Sequence, residues 1–95
     1  ATKTQTLVTI FAPTLQGQAL KVASRLRDAG INTELYPSPS DKLDKQFKYA
    51  DKKTIPYAVI IGEEEAENNT VTLKNLATRE QKTIPLSEAI SNLSA

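Results

Sequence analysis

Lysine side chains recur along residues 42–53 at a spacing that could bind phosphate groups. At about 100° per residue, one side of a helix over this segment carries Lys42, Lys45, Lys48, Lys52 and Lys53. Tyr49 lies among them and Gln46 lies at their border, whereas the opposite side is apolar. Lysines beside an aromatic ring and an amide can neutralise phosphates while stacking on, or hydrogen-bonding to, an unpaired base. The same pattern is also typical of the solvated face of any amphipathic helix.

A second polar cluster, Gly62-Glu63-Glu64-Glu65, directly follows a short apolar run. Ligands of open α/β sheets gather at the carboxyl ends of strands, so this position suits a binding site. A carboxylate there repels phosphate but can accept hydrogen bonds from the N1–H and N2 amino groups of guanine. For Glu63 and Glu64 an acidic surface loop is the favoured interpretation.

Composition excludes several kinds of chemistry. The 95 residues include no cysteine and no histidine, which removes thiolate zinc sites, disulfides and the commonest general base. Adjacent carboxylates such as Glu64 and Glu65 could in principle transfer protons, but no histidine, cysteine or arginine is close in sequence, so we expect no catalytic and no metal-binding residues. The net charge of +1 means that nucleic-acid binding must come from a local patch. No apolar run is long enough to cross a membrane, and a cytoplasmic location is expected.

The first half of the chain alternates between strand and helix patterns. An apolar strand is predicted over Thr6–Ala12, and a helix follows in which Gly30 occupies the left-handed C-terminal position. The apolar positions of that helix are Leu15, Ala19, Val22, Ala23 and Leu26. A second strand is predicted over residues 31–36. Ser38 or Ser40 can then cap the lysine-rich helix.

The second half begins with a continuous apolar run, residues 57–61, which predicts a buried central strand. Residues 63–69 read as an acidic loop. Alternation around Val71 and Leu73, then residues 81–86, predicts a hairpin, and Ser87 caps a short final helix. The three earlier strands lie about 25 residues apart, which suits parallel pairing with crossover helices. We therefore predict one α/β domain over residues 1–95, with a parallel βαβαβ core, an antiparallel hairpin completing a five-stranded mixed sheet, and three or four flanking helices in three layers.

The turn Thr14-Leu15-Gln16-Gly17 leaves a different function open. A helix N-terminus there could bind a phosphorylated small molecule, as in flavodoxin-like domains. The segment has one glycine and lacks both a P-loop lysine and a GxGxxG run, so a simple turn explains it better.

Two longer motifs resemble a known family. The run Leu43-Asp44-Lys45-Gln46-Phe47-Lys48-Tyr49-Ala50-Asp51-Lys52 and the run from Ile55 to Glu65 (IPYAVIIGEEE) are similar to the signature L-x-K-Q-F-K-Y-A-D-K … I-P-Y-x-V-I-I-G-E-x-E of histidyl-tRNA synthetases. The segment Val71-Thr72-Leu73-Lys74-Asn75-Leu76-Ala77-Thr78, followed by Glu80-Gln81, also fits that family. The similarity is to the C-terminal anticodon-binding domain of these class IIa synthetases and covers essentially the whole chain.

The resemblance implies an RNA-binding function without catalysis in this chain. The anticodon loop of histidine tRNA would be the partner, together with a catalytic domain of the same polypeptide, which uses ATP and Mg²⁺ in a parent enzyme expected to be a homodimer. No cofactor, membrane or DNA partner is expected for the domain itself. By motif position the RNA-binding candidates are Lys45, Gln46, Lys48, Tyr49, Glu65, Lys74, Asn75 and Gln81. Arg79 stands where the family usually has glycine, which predicts slight strain and an added phosphate contact. A stand-alone regulatory protein with the same fold remains an alternative.

Overall fold

The computed structural model describes residues 4–94, so the ends of the predicted domain, residues 1–3 and 95, lie outside the described residues. In chain order the elements are β1 (Thr6–Val8), a 3₁₀ turn (Pro13–Leu15), α1 (Gln16–Asp28), β2 (Thr33–Leu35), α2 (Leu43–Lys52), β3 (Tyr57–Ile60), α3 (Glu63–Asn68), β4 (Thr70–Asn75), β5 (Gln81–Pro85) and α4 (Leu86–Ser94).

The five strands form one mixed sheet in the order β2-β1-β3-β4-β5. The first three are parallel, with Leu7 of β1 opposite Glu34 and Ala58. Strands β4 and β5 continue the sheet in antiparallel fashion. The predicted α/β class, with a parallel core extended by a hairpin, is therefore confirmed, and four α-helices lie within residues 4–94.

The two faces of the sheet are covered unequally. Val8 and Val59 point to one face, where α1 and α4 contribute apolar side chains such as Leu26 and Leu93 to the larger core. Their strand neighbours belong to a smaller core on the opposite face, which consists of Leu7, Tyr36, Ala50, Ile55, Ala58 and Leu76 with Phe47 and Tyr49 packed against it. On that face α2 is the covering helix, so the β4–β5 side is left uncovered.

Helices α1 and α2 end in the same way. After α1, Gly30 has a φ of +84°, its N–H bonds to the Arg27 carbonyl, and the N–H of Ile31 bonds to the Leu26 carbonyl. After α2 the same pair of hydrogen bonds is made by Thr54 to Asp51 and by Ile55 to Ala50. Both are Schellman motifs with a buried isoleucine after the left-handed residue. The predicted C-cap at Gly30 is confirmed, but Thr54, a β-branched residue with a φ of +56°, occupies the equivalent site.

Four sequence-based predictions of local structure are wrong. Residues 63–68 form a helix instead of an acidic loop. Helix α2 has Lys42 at its N-cap with no side-chain cap bond, so neither Ser38 nor Ser40 caps it, and Ser87 is the second residue of α4. Strand β1 ends at Val8 instead of Ala12: the Thr9 N–H still bonds to the Val59 carbonyl of β3 at 2.9 Å, but the N–H and carbonyl of Ile10 bond to the Gln46 side chain.

Replacement of Thr54 by glycine is expected to stabilise the fold. A left-handed conformation costs a non-glycine residue about 1–2 kcal/mol, and the greater entropy of glycine in the unfolded chain offsets part of that gain. We expect the free energy of unfolding to rise by about 0.5–1 kcal/mol in urea titrations. Gly30→Ala is the reciprocal control and should lose stability. A Thr54→Gly variant that unfolds at lower urea would contradict this account.

Candidate nucleic-acid interface

A groove runs along the uncovered half of the sheet, beside α2. We call it the sheet groove; its volume is about 410 Å³ and its walls are Phe11, Leu43, Phe47, Ile60, Gly62, Glu63, Glu64, Glu65, Thr72, Lys74 and Gln81. One wall is formed by α2 and the floor by β3, β4 and β5. At one end lie the residues that follow β1 and β3, the carboxyl ends of parallel strands, where α/β sheets commonly bind ligands.

Two phenylalanines give the sheet groove an aromatic surface. Phe11 has 55% of its surface exposed, and Phe47 is half-buried against the smaller core. The Lys74 ammonium lies 4.5 Å from the centroid of the Phe47 ring, so a cation–π contact holds a positive charge beside the aromatic surface. Such a surface can stack an unpaired base and bind an adjacent phosphate.

Phe11 was not among the residues selected from the sequence. It extends the apolar pattern of β1, and a strand covered on both faces would have buried it. The one available signal was its position, since it lies beyond the carboxyl end of a central parallel strand.

The acidic residues of the groove are organised by the start of α3. Glu65 reaches back and its Oε1 accepts a hydrogen bond of 2.7 Å from the Gly62 N–H. A Cβ at position 62 would lie 2.7 Å from that same oxygen, so a larger residue there would displace the Glu65 carboxylate from this position. One oxygen of the Glu65 carboxylate therefore stabilises the helix start, whereas Glu63 and Glu64 are exposed at the rim. The candidate Glu65 therefore lines the groove, but one of its carboxylate oxygens is already hydrogen-bonded to the Gly62 N–H.

Gln46 does not reach the surface. Its side chain is fully buried, and its Oε1 accepts a hydrogen bond from the Ile10 N–H at 2.8 Å. Its Nε2 donates to the carbonyls of Ile10 at 2.7 Å and of Asp41 at 2.9 Å. A side chain engaged in this way has no free donor directed to solvent. Gln46 therefore positions α2 instead of contacting a base.

Lys45 and Tyr49 lie on the flank of α2 that faces away from the groove, toward the edge strand β2. The Tyr49 hydroxyl donates to the Glu34 carboxylate, and its ring stacks edge-on against Tyr36 at 5.3 Å. The hydrogen bond from Tyr49, together with Lys53, holds the pKa of Glu34 below its ordinary value despite partial burial. Lys45 lies 3.8 Å from Asp41. The aromatic ring of Tyr49 is thus used in packing.

Lys48 is exposed on the outward side of α2, between the two flanks. The basic face predicted from helical spacing therefore exists, but it does not line the sheet groove. It borders the groove from outside, across the width of the helix.

Asn75 is the last residue of β4, and Arg79 lies in the loop between β4 and β5. The Asn75 Oδ1 accepts hydrogen bonds from the N–H groups of Ala77 (2.9 Å) and Thr78 (3.1 Å), so this side chain shapes the loop. Arg79 has a φ of +68°, which agrees with the strain expected where glycine is usual. Such a conformation costs about 1–2 kcal/mol. The exposed contact of Arg79 with Asp51, at 3.9 Å, offsets at most about 1 kcal/mol of it.

The nine candidates therefore separate into three sets. Those at the groove are Glu65, Lys74 and Gln81. Those on the outer side and far flank of α2 are Lys45, Lys48 and Tyr49. The remaining three are the buried Gln46, Asn75 at the end of β4, and Arg79 in the loop that follows.

A second cavity, of about 370 Å³, lies on the face that α1 and α4 cover. Tyr57, Leu73, Lys82 and Asn92 border it, and Asn75 and Gln81 reach its edge. Neither exposed phenylalanine surface nor the basic face of α2 adjoins it. The sheet groove is for this reason the better candidate.

The turn considered for a phosphorylated small molecule forms the 3₁₀ segment that precedes α1. Gly17 lies within α1, and a Cβ at that position would meet no atom within 4 Å. No close backbone approach requires glycine there, so the turn lacks the property that makes glycine-rich loops phosphate cradles.

Within residues 4–94, no group of three or more acidic, histidine or cysteine side chains is placed to hold a metal ion. Across the same range no helix has the length and apolarity to cross a membrane.

The fold is that of an anticodon binding domain. The chain belongs to the family described as the anticodon binding domain, which matches residues 5–95. The similar proteins are mainly histidine–tRNA ligases. That of Cytophaga hutchinsonii is 42% identical over 90 residues, covering 95% of this chain and 20% of the relative. That of Caenorhabditis elegans is 38% identical over 90 residues, covering 95% of this chain and 17% of the relative.

Solved structures agree. The histidyl-tRNA synthetase from Nostoc sp. PCC 7120 superposes with a TM-score of 0.90 at 35% identity, over 96% of this chain and 22% of that one. The RNA binding domain of threonyl-tRNA synthetase from Cryptosporidium parvum gives 0.88 at 24% identity, over 95% and 22%, and supports the fold alone. The chain spans about a fifth of the length of the curated ligases it matches.

Replacement of Gln46 by alanine is expected to destabilise the protein. It leaves the N–H and carbonyl of Ile10 and the carbonyl of Asp41 without their partner, and each unsatisfied buried group costs about 1–3 kcal/mol. We expect the free energy of unfolding to fall by about 2–4 kcal/mol in urea titrations, since the costs are not additive. Lys48→Ala, on the same helix but exposed, should change it by less than about 0.5 kcal/mol. Equal stabilities of the two variants would refute the positioning role.

Proposed function

We propose that this chain binds the anticodon loop of histidine tRNA in the sheet groove, as the tRNA-recognition module of a histidine–tRNA ligase. The observation that carries the proposal is the exposed aromatic surface of Phe11 and Phe47 beside Lys74, on an uncovered sheet face, in a chain of the anticodon-binding family. The ligase relatives supply the choice of tRNA.

The physical basis is the exposure of bases in a single-stranded loop. Unpaired bases can leave the stack and lie on protein rings, and each stacked base contributes about 1–3 kcal/mol. Phe11 offers such a ring at the end of the groove where its surface is free. Phe47 and Lys74 offer a ring and a cation on the neighbouring wall.

Base discrimination falls to the polar rim of the groove. The carboxylates of Glu63, Glu64 and Glu65 can accept hydrogen bonds from a guanine edge, and Gln81 can both donate and accept. A lost base contact of this kind costs roughly 1–3 kcal/mol by analogy with readout of DNA. The same carboxylates repel phosphate, so they favour an orientation in which bases, not the backbone, face that end.

The lysine face of α2 contributes attraction that does not depend on sequence. Lys45 and Lys48 are exposed on the side of the helix away from the groove floor. A loop whose bases enter the groove can place neighbouring backbone across α2, where lysines release counterions from phosphates. Affinity from this source falls as salt rises.

The parent activity is part of the same proposal. We assign aminoacylation of tRNA with histidine, and its use of ATP and Mg²⁺, to a catalytic domain elsewhere in a longer polypeptide. We assign no catalytic step to this chain. A homodimeric parent in the cytoplasm is the corresponding proposal for assembly and location.

The proposal is tested by titrating the chain with the histidine anticodon stem-loop and with the same hairpin carrying a scrambled anticodon. We expect binding to the authentic loop to be tighter by tenfold or more, because base contacts add to a shared electrostatic attraction. Affinities should be measured at two salt concentrations. Equal, salt-sensitive binding of both hairpins would reduce the function to non-specific electrostatics, and no binding even in low salt would refute it for the isolated chain.

Phe11→Ala is expected to weaken binding of the authentic stem-loop without affecting the fold. The loss of one stacked base is worth about 1–3 kcal/mol, so the dissociation constant should rise roughly 5- to 150-fold. Leu20→Ala is the matched control, since Leu20 is equally exposed, at 52%, but lies on α1 across the sheet. If both variants bind as tightly as the wild type, Phe11 has no part in RNA recognition.

A further inference from the structure

Three non-glycine residues among residues 4–94 have a positive φ: Thr54, Asn69 and Arg79. Asparagine tolerates this conformation, and Asn69 also ends α3 while its carbonyl accepts the Leu86 N–H. Thr54 completes the Schellman motif of α2. Arg79 is neither a favoured type for this conformation nor a helix cap, so its presence requires another reason.

The Arg79 side chain contributes little to its own loop. Its backbone N–H donates to the Asn75 carbonyl at 2.8 Å, a bond that glycine would make equally well. The guanidinium is 61% exposed, and its ion pair with the exposed Asp51 is long. An arginine that costs stability at a solvent-exposed turn is best explained by a contact outside the chain.

The Arg79 guanidinium does not line the sheet groove but pairs with Asp51 beside it. Asp51, its partner, stands one helical turn after Phe47 on the groove side of α2. Across the groove, Arg79 follows β4, whose Lys74 lies in the wall, and precedes Gln81 of β5. The opposite end is formed by the acidic rim, Glu63 to Glu65. The groove is therefore bordered by carboxylates at one end and has an exposed cation near the other.

We propose that Arg79 is a phosphate-binding residue that fixes the direction in which an RNA strand enters the sheet groove. The inference rests on the proposed function and adds a residue and a polarity to it: backbone phosphate at the Arg79 end, base edges at the acidic end. A guanidinium suits this role because it presents five N–H donors in a planar fork that matches phosphate oxygens. Asp51 competes for the same donors and keeps the side chain over the groove when no RNA is bound.

The experiment compares Arg79→Gly with Thr54→Gly. Both variants replace a non-glycine residue that has a positive φ, but only Arg79→Gly also removes a positive charge near the groove. Thermal unfolding should show both melting higher than the wild type, by up to roughly 4–8 °C. Titrations with the histidine anticodon stem-loop should show a roughly three- to tenfold loss of affinity for Arg79→Gly and none for Thr54→Gly. The slope of log K against log salt should fall in magnitude by about 0.7, the value for one phosphate contact to single-stranded RNA.

Two further variants separate this role from net charge. Lys21→Gln removes one positive charge from α1 on the other face, and should leave both affinity and slope unchanged. Arg79→Lys keeps the charge and should keep the slope. Arg79→Gly with wild-type affinity and slope, or with a lower melting temperature, would overturn the inference while leaving anticodon binding standing. A wild-type chain that does not bind the stem-loop would remove both proposals.

Discussion

The buried amide of Gln46 is the interaction on which the geometry of the interface depends. It satisfies both the N–H and the carbonyl of Ile10 beyond the end of β1, and it also bonds to the Asp41 carbonyl before α2. These groups would otherwise be unsatisfied in the interior, so α2 can neither slide nor rotate without losing several hydrogen bonds. The neighbours of the bonded residues are Phe11 and Phe47, the two rings of the sheet groove. A residue that never meets the ligand thus sets the distance between those that do.

The position of α2 also gives its two flanks different roles: one flank contacts β2, and the other lines the sheet groove. Its far flank is fastened to β2 by the contacts of Tyr49 and Lys53 with Glu34, which lower the pKa of that carboxyl. Its near flank contributes Leu43 and Phe47 to the groove. Because one ten-residue helix covers only the parallel half of the face, Lys74 of β4 and Gln81 of β5 stay accessible in the groove. The uncovered surface is therefore a direct consequence of having α2 as the covering helix on this side.

The sequence predicted the larger elements because their signals are periodic. Apolar runs and helical spacing predicted the parallel pairing of the first three strands, the hairpin and the three longer helices, and Gly30 marked the end of α1. Helix α3 was missed because its start depends on the Glu65 side chain returning to a glycine N–H, and six residues rich in glutamate have no apolar stripe. Gln46 was placed at the surface because it lies at the border of the lysine face, and only tertiary contact with β1 shows that it is buried. The opposite error was made for Phe11. The strand pattern predicted that it is buried, but β1 ends before it and its ring is exposed.

A positive φ is required at several positions of this fold, and the residue types that adopt it differ from one position to the next. Gly30 and Thr54 occupy equivalent sites after α1 and α2, yet only the first is the residue type that the conformation favours. A fold can tolerate the free-energy cost of a left-handed non-glycine residue when its buried polar groups are hydrogen-bonded. Within residues 4–94 every buried side-chain nitrogen and oxygen has a partner. At Arg79 the same cost places a cation beside a groove in a chain with a net charge of only +1. In a nearly neutral module, attraction to RNA rests on the position of a few charges, and a base-reading groove gains selectivity when those charges lie at one end of it.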